Sequence, residues 1–327
     1  IHSIYALYFI RDIKCFQPGQ LEEIEDSIRE HAELIKVGEK YFLDLHVSAN
    51  HQSLRAVAMF FAASYFQDDA EFSKSLTVEA ARVASFHITR DYFEDGVLRE
   101  NSPSYHMFET WHVRDAMILG TRLGAEMPAD GYDILRRAVE FIVVVRQPDA
   151  LSMTINDGYG VELDPFLASF PAEVVSGINY ADNSYFFPDA GMAYYRDSRY
   201  FIGFDFSKYP GHFSHYHGGK NAVTMFYDDE PFLVDSGCCS YDDVEFTAHY
   251  KLPTAHSSML VDGDGDAIVT GTYDWQAWSE SESGGWSNNE IGSVLMSSHP
   301  TWEDIVWRRK IIVASNGSFI VKDRVAN

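Results

Sequence analysis

The sequence lacks the features that mark disulfide-rich, membrane-spanning and nucleic-acid-binding proteins. Its 327 residues include only three cysteines, which are too few for a disulfide framework and leave the redox compartment open. No apolar run approaches the roughly eighteen residues of a membrane span. Acidic residues outnumber basic ones by 49 to 25, and the net charge of -24 argues against a nucleic-acid partner, because binding a polyanion needs clustered Lys and Arg. The net charge does not exclude an anionic substrate in a locally basic cleft.

A secretory signal segment is also lacking at the start of the chain. Ile1 already belongs to an apolar helical pattern, without a start Met or a capping residue, so we expect the chain to begin inside a longer protein. We find no repeat of fixed period and no low-complexity segment. The hydrophobic fraction of 46% and the chain length are instead typical of a globular protein with two domains.

The first half of the sequence has the period of amphipathic helices. Apolar residues recur at three- and four-residue steps from Leu21 to Ile35, from Leu54 to Phe61 and from Tyr132 to Val145. Pro148 then provides a stop signal. This pattern predicts a helical domain over residues 1–172, built of helices in pairs with short loops.

The second half changes to short segments rich in β-branched and aromatic residues. Ser315-Asn316-Gly317 between two of them is a strong hairpin signal. We predict an antiparallel β-sandwich over residues 173–327, with further strands beyond Asn327, and so an α+β multidomain protein. The predicted strands are Phe186–Tyr195, Tyr200–Phe206, Ala222–Tyr227, Phe232–Asp235, Ile305–Val313 and Phe319–Val321.

Three residues of the second half form a candidate metal-ligand set. Asp235 follows His217 by 18 residues, and His256 follows Asp235 by 21. Imidazole nitrogen and carboxylate oxygen are normal zinc ligands, and strands of one sheet can bring distant residues together. The chain has 13 histidines, so some clustering in sequence is expected by chance. From spacing alone, the ordinary alternative is that these residues do not bind a common metal ion.

The helical half contains two polar segments of its own. Asn50 directly precedes an amphipathic helix, where capping of the first turn would explain it fully. A polar loop leads through Glu100 into a helix that carries Tyr105 and His106. Tyr105 taken alone is more often a half-buried aromatic than a catalyst. Periodicity does not bring these segments together.

Six short segments follow one another along the chain in this order: Asn50-His51, Glu100 to His106, Phe187 to Arg196, His215-Tyr216-His217, Val234 to Gly237 and Thr254 to Ser257. This order resembles the heparinase II/III superfamily of polysaccharide lyases, which includes heparinases, oligoalginate lyases and other uronate lyases. The resemblance implies an incomplete (α/α) toroid of paired helices followed by an antiparallel β-sandwich.

The resemblance also implies roles for individual residues. A structural or supporting Zn²⁺ would be held by His217, Asp235 and His256. Asn50 and His51 would neutralise the substrate carboxylate, with Tyr105 as the catalytic tyrosine and His215 opposite it. A further active-site tyrosine is either Tyr241 or Tyr250, since both lie between the second and third metal ligands. Glu100 and His106 are expected, with these two tyrosines, to bind substrate.

The implied activity is β-elimination on an anionic polysaccharide that contains 4-linked uronic acid, of glycosaminoglycan or alginate type. Such cleavage removes the C5 proton beside a carboxylate and protonates the O4 leaving group. Tyr105 serves as both base and acid if the two groups share a face, and otherwise His215 is the base. We expect a periplasmic or secreted protein. A metal-dependent glycan hydrolase and a non-catalytic uronate-glycan-binding protein are the alternatives.

Two details of the segment from His215 to Lys220 lead to further expectations. A strand would direct His215 and His217 to one face, because residues i and i+2 of a strand share a face. Relatives commonly carry an Asp shortly after this His pair, where the present chain has Gly218-Gly219-Lys220. The hydrogen-bond partner that metal-bound histidines need is therefore missing or supplied from elsewhere.

Overall fold

The fold is described from a computed structural model of the chain. It describes residues 1–11, 16–44, 50–178, 184–207, 215–241, 244–272, 275–279, 281–289, 292–302 and 305–326. Cys238 and Cys239 are free thiols, and Cys15 lies outside the described residues.

Eight of the nine described helices precede the strands, as the change of period predicts, and the ninth lies between the fifth and sixth strands. The helices are α1 (His2–Ile10), α2 (Gln20–Asp44), α3 (Asn50–Tyr65), α4 (Ala70–Arg90), α5 (Pro103–Arg122), α6 (Gly131–Val144), α7 (Leu163–Ala168), α8 (Ala172–Val175) and α9 (Val244–Lys251). The strands are β1 (Ser184–Phe187), β2 (Met192–Arg196), β3 (Tyr200–Asp205), β4 (Ala222–Tyr227), β5 (Glu230–Leu233), β6 (Ala267–Val269), β7 (Trp275–Trp278), β8 (Glu282–Asn289), β9 (Gly292–Trp302), β10 (Ile305–Val313) and β11 (Phe319–Ala326).

The chain divides into two compact units that interleave in sequence. The first unit comprises Ile1–Tyr92 and Phe108–Leu135, and the second comprises Phe93–Met107 and Arg136–Asn327. The change from helix to strand itself falls between Val175 and Ser184.

The first unit is helical and has α3 at its centre. Nearly every face of α3 is buried, including Met59 and Phe60, because the helix packs against both α2 and α4. The Asp69 side chain caps α4 by accepting the Phe72 N–H at 3.1 Å. The same carboxylate pairs with Arg29 of α2 at 3.0 Å, which ties the two helices together.

The second unit contains, within its described residues, a five-stranded antiparallel meander from β1 to β5 and a four-stranded sheet in the order β11-β10-β9-β8. The five-stranded sheet is buried on both faces, since Met192 and Tyr194 pack in one core and Ala193 in another. The second core also contains Ile311 and Val313 of β10. Two sheets therefore pack face to face, and the predicted β-sandwich is confirmed.

Two details of the predicted strands are wrong. The segment predicted as one strand, Phe186–Tyr195, is a hairpin of β1 and β2, because Pro188 cannot donate to a ladder and Gly191 adopts φ 75°. The Asp95 carboxylate fixes this turn by accepting two of its backbone N–H groups. Strands β6, β7, β8 and β9 were not predicted, and in β8 and β9 the residues Ser, Gly and Asn dilute the β pattern. The hairpin at Ser315-Asn316-Gly317 joins β10 to β11 as predicted.

None of the helices in the described part of the chain has the length and apolar character needed to cross a bilayer.

Candidate active site and metal centre

The three candidate metal ligands are brought together in the second unit. One ligand atom from each of His217, Asp235 and His256 lies within 4.8 Å of the others. Contrary to expectation, none of the three lies on a strand. His217 is in the loop before β4, Asp235 follows β5, and His256 follows a 3-10 turn at Pro253–Ala255.

The chemistry of this donor set fits a zinc ion. Within the described residues, His217 Nδ1 and His256 Nε2 are buried and have no hydrogen-bond partner, so each has a lone pair to offer. Asp235 accepts a hydrogen bond from His256 Nδ1 at 2.7 Å through one oxygen and from the Gly237 N–H at 3.1 Å through the other. Two imidazoles and one carboxylate are a ligand set that zinc accepts, with a position left over.

The Asp235 loop depends on a glycine. Gly237 has φ 59°, and a Cβ there would lie 2.6 Å from the Gly158 carbonyl oxygen. The backbone of this loop is therefore packed against the loop that contains Gly158, and the Cys238 N–H donates to the same carbonyl at 3.1 Å. A side chain at position 237 would separate the two loops.

A second cluster in the same unit contains Tyr105, His215 and Tyr241. The rings of Tyr105 and His215 are stacked, with centroids 3.6 Å apart and an interplanar angle of 20°. The Tyr241 hydroxyl lies 3.2 Å from the Tyr105 hydroxyl and 3.3 Å from His215 Nδ1. The tyrosine that joins the predicted pair is thus Tyr241. For Tyr250, the ring contact is with His249 on α9.

One buried carboxylate, Asp157, connects the two clusters. Its Oδ2 lies 2.9 Å from His215 Nδ1, accepts the Tyr241 hydroxyl at 2.6 Å and pairs with Lys251 Nζ at 3.2 Å. Its Oδ1 lies 2.7 Å from His217 Nε2. The side chain is completely buried. The partner expected after the His pair is therefore supplied from a distant loop.

The loop that carries Asp157 also fixes the segment before β4. The Asp157 N–H donates to the His215 carbonyl at 3.0 Å, and the Asn156 side chain accepts the His217 N–H at 3.0 Å. Asn156 adopts φ 54° and its amide donates to the Asn101 carbonyl at 2.7 Å. Asn tolerates this left-handed conformation better than other residues with a side chain. These bonds, and not strand pairing, direct both histidines toward Asp157.

The electrostatics of the site keep both tyrosines protonated. Burial, with the carboxylates of Asp157 and Glu100, raises the pKa of Tyr105 to about 12. Burial and the adjacent Asp157 carboxylate raise the pKa of Tyr241 far above its usual value. Each hydroxyl has one proton, and Tyr241 donates its proton to Asp157. Tyr105 is therefore the donor in the bond between the two hydroxyl groups.

Asp157 itself is held ionised. Burial alone would raise its pKa, but the hydrogen bonds from His215 and His217 and the charge of Lys251 lower it well below the usual range. A carboxylate with donors on every side is an acceptor only, and it orients those donors.

Glu100 and His106 have different surroundings. Glu100 Oε2 lies 3.5 Å from His215 Nε2, close to the reactive cluster, and its contact with substrate stays a prediction. His106 is buried, with Nδ1 accepting the Leu98 N–H at 3.0 Å and Nε2 donating to the Ala138 carbonyl at 2.8 Å. Burial lowers the pKa of His106 to about 4. Because both nitrogens are used inside the core, the expected substrate contact of His106 is wrong.

Asn50 and His51 are the first two residues of α3, in the first unit. Asn50 is buried and His51 is exposed. The Ser53 hydroxyl lies 2.8 Å from the Asn50 carbonyl and 2.5 Å from Glu109 Oε2 on α5. His112 Nδ1 lies 3.1 Å from the same hydroxyl. A buried polar network thus supports the start of α3.

Glu109 makes the stability of the chain sensitive to pH. Burial, together with the Asp91 charge, raises the pKa of Glu109 from 4.5 to about 8. The folded state therefore binds the proton more tightly than the unfolded state, and the stabilisation is complete below 4.5 and lost as pH rises through 8. Relative to Glu109→Gln, the wild-type free energy of unfolding should fall by roughly 3 to 5 kcal/mol between pH about 5 and about 9.

Urea unfolding of both proteins across this range measures the difference. A Glu79→Gln variant is the control, because Glu79 pairs with Arg82 on the protein surface. A constant difference between wild type and Glu109→Gln would contradict the assignment.

The sequence alone did not indicate Asp157. Asn156-Asp157-Gly158 has the composition of an ordinary turn, and that explanation was sufficient. The indirect signal was the absence of an Asp after the His pair, which required a partner from another part of the chain.

Comparison with known proteins agrees with the predicted superfamily. The family described as Heparinase II/III N-terminus matches residues 4–185, and Heparinase II/III-like, C-terminal, matches residues 181–327. No curated protein sequence matches the chain.

Several solved structures share the fold. A crystal structure of heparinase III has 14% identity and a TM-score of 0.85, over 100% of this chain and 54% of that one. A heparinase III with methylated lysines has 17% identity and a TM-score of 0.77, over 99% and 51%. The heparan sulfate lyase HepC from Pedobacter heparinus has 18% identity and a TM-score of 0.71, over 98% and 52%.

The present chain thus spans about half the length of these structures, and at such identities the likeness concerns the fold. The two family matches together cover almost every residue. With the helical region followed by a β-sandwich, they establish that the chain belongs to the heparinase II/III-like family.

Proposed function

We propose that the protein is a polysaccharide lyase that cleaves 4-linked uronic-acid-containing polysaccharide by β-elimination. The observation that carries this proposal is the stack of Tyr105 on His215, with Tyr241 within hydrogen-bond distance of both. Two proton-transfer groups side by side, one a phenol and one an imidazole, supply the acid and base that elimination requires. The family membership supports the same reaction class.

His215 is the proposed base. Its Nδ1–H donates to Asp157, so the neutral ring has its lone pair on Nε2. After Nε2 takes the C5 proton, the imidazolium is stabilised by Asp157 on one side and Glu100 on the other. The buried Asp of a Ser-His-Asp triad orients and stabilises its catalytic histidine in the same way.

Tyr105 is the proposed acid. Burial and the nearby carboxylates raise the pKa of Tyr105 to about 12, which keeps the hydroxyl protonated and favours the acid role over the base role. The protonated hydroxyl can instead donate to the O4 leaving group, while the C5–H electron pair forms the C4–C5 double bond and the C4–O4 bond breaks.

The substrate carboxylate must be neutralised for C5 to lose a proton. Each well-aimed donor to the developing enolate stabilises the transition state by about 3 to 4 kcal/mol. Asn50 and His51 remain the proposed donors, on the strength of the family resemblance. A zinc ion bound by His217, Asp235 and His256 would supply positive charge. It would also fix the loops that carry these three ligands.

Among uronate polymers, glycosaminoglycans are the first to test. A solved structure with the same fold is a heparan sulfate lyase, which supports heparan sulfate as a starting substrate. Alginate presents the same 4-linked uronate chemistry. The experiment is a panel of heparan sulfate, heparin, chondroitin sulfate, alginate and glucuronan, assayed by the ultraviolet absorbance of the unsaturated uronate. Absorbance that grows on at least one polymer supports the proposal, and binding without turnover across the panel would overturn it.

A further inference from the structure

Asp157 contacts both the candidate metal set and the proposed proton-transfer groups. Its Oδ1 faces His217 Nε2, and its Oδ2 faces His215 Nδ1 and accepts the Tyr241 hydroxyl. Lys251, completely buried as well, pairs with Oδ2. Four donors thus converge on one carboxylate, three of them on Oδ2 and one on Oδ1.

The contact with Oδ1 decides which nitrogen of His217 can bind a metal. An ionised carboxylate only accepts, so the proton of the neutral His217 ring lies on Nε2. Nδ1 then has the lone pair, and this atom has no hydrogen-bond partner among the described residues. Metal-bound histidines usually donate their second nitrogen to a carboxylate in this way.

The contacts with Oδ2 decide the proton positions on the other two groups. The neutral His215 ring has its proton on Nδ1, which directs the Nε2 lone pair away from Asp157. The Tyr241 proton is held by the same oxygen at 2.6 Å, so the Tyr241 oxygen accepts from Tyr105. One carboxylate therefore sets the tautomers of two histidines and the direction of a two-tyrosine hydrogen-bond chain.

We propose that Asp157 is a positioning residue that links metal binding to proton transfer, by fixing His217 for the metal through one oxygen and His215 for the base role through the other. The catalytic half of this proposal rests on the proposed lyase function, and the metal half stands without it.

Asp157→Asn tests both halves. Asn keeps the size but presents an N–H to groups that are themselves donors, so at least one histidine must change tautomer. We expect zinc affinity to fall about 10- to 100-fold. We expect kcat to fall about 10³- to 10⁴-fold, with KM changed less than about threefold. The control is Asp95→Asn, which can still accept the Asp189 and Ala190 N–H groups through the amide oxygen, loses only the long contact with the Val97 N–H, and should change neither quantity.

A double mutant separates positioning from a general loss of structure. If Asp157 acts through His215, then Asp157→Asn in a His215→Ala background should lower kcat no further, while zinc affinity still falls. Equal factors of loss in both backgrounds would overturn the catalytic half. Unchanged zinc affinity in Asp157→Asn would overturn the metal half.

Nitrogen NMR of the histidine side chains in the unaltered chain tests the same proposal if the variant does not fold. We expect neutral His215 protonated on Nδ1, and His217 protonated on Nε2 with zinc on Nδ1. His215 protonated on Nε2, or His217 bound through Nε2, would contradict it. If the wild-type chain cleaves no uronate polymer, the lyase proposal fails, but the tautomers and zinc affinity still decide whether Asp157 positions the two histidines.

Discussion

Tyr105→Phe should lower kcat on a uronate polymer by about a thousandfold while leaving KM nearly unchanged. General acid catalysis contributes about 10²- to 10⁴-fold, and the proposed acid is the Tyr105 hydroxyl. Phe preserves the ring, so the stack on His215 at 3.6 Å remains. The substitution removes only the hydroxyl that donates to Tyr241 and, in the transition state, to the leaving oxygen. Steady-state rates of unsaturated product formation measure the effect.

The matched control is Tyr132→Phe, which removes the hydroxyl of an exposed tyrosine in the first unit. We expect this variant to keep the wild-type rate. Undiminished rates in Tyr105→Phe would contradict the proposed role of Tyr105 as the acid. A large rise in KM with kcat unchanged would make it a binding residue instead.

Removal of the metal should destabilise the second unit and reduce activity indirectly. His217, Asp235 and His256 lie in loops around the sheet, and a bound ion holds such loops in one arrangement. With free zinc at 100 to 1,000 times its Kd, binding to the folded state alone is worth about 3 to 4 kcal/mol. Chelation should lower the free energy of unfolding by this amount, as measured by urea unfolding with and without zinc.

Two comparisons distinguish a supporting metal from a metal that activates water. His256→Ala should lose the stabilisation by zinc, whereas His249→Ala, which removes an exposed histidine of α9, should retain it. Substitution of cobalt or cadmium for zinc should restore both stability and activity to a similar extent. A metal-free chain that stays equally stable and fully active would contradict the supporting role. Activity that follows the acidity of metal-bound water would favour a hydrolase.

Sequence pattern predicted the order of the architecture and the composition of the metal set. The helical period is carried by many residues, so single exceptions do not hide it. The signal for short apolar strands between turn residues is likewise carried by several residues in each strand. His217, Asp235 and His256 were a candidate set because His and Asp are normal zinc ligands, and the family resemblance assigned the three to one ion. The pairing of Tyr105 with His215 came from the family resemblance, since no periodicity joins residues so far apart.

Other features depend on contacts that a single sequence does not encode locally. His106 was expected at the substrate, yet its two nitrogens bond to backbone groups of the core. His215 and His217 share a direction as expected, but bonds from Asn156 and Asp157 produce it in place of a strand. The choice of Tyr241 over Tyr250 depended on the path of the loop before α9, which turn composition does not specify.

We expect bond cleavage to proceed by elimination at side chains and without attack of water. The most direct measurement is mass spectrometry of the oligosaccharides formed in water enriched in heavy oxygen. Elimination leaves an unsaturated uronate, one water lighter than a hydrolysis product, and incorporates no solvent oxygen during cleavage. We predict this unlabelled, unsaturated product from the wild-type chain and almost none from Tyr105→Phe. A saturated product labelled by solvent oxygen would contradict the account.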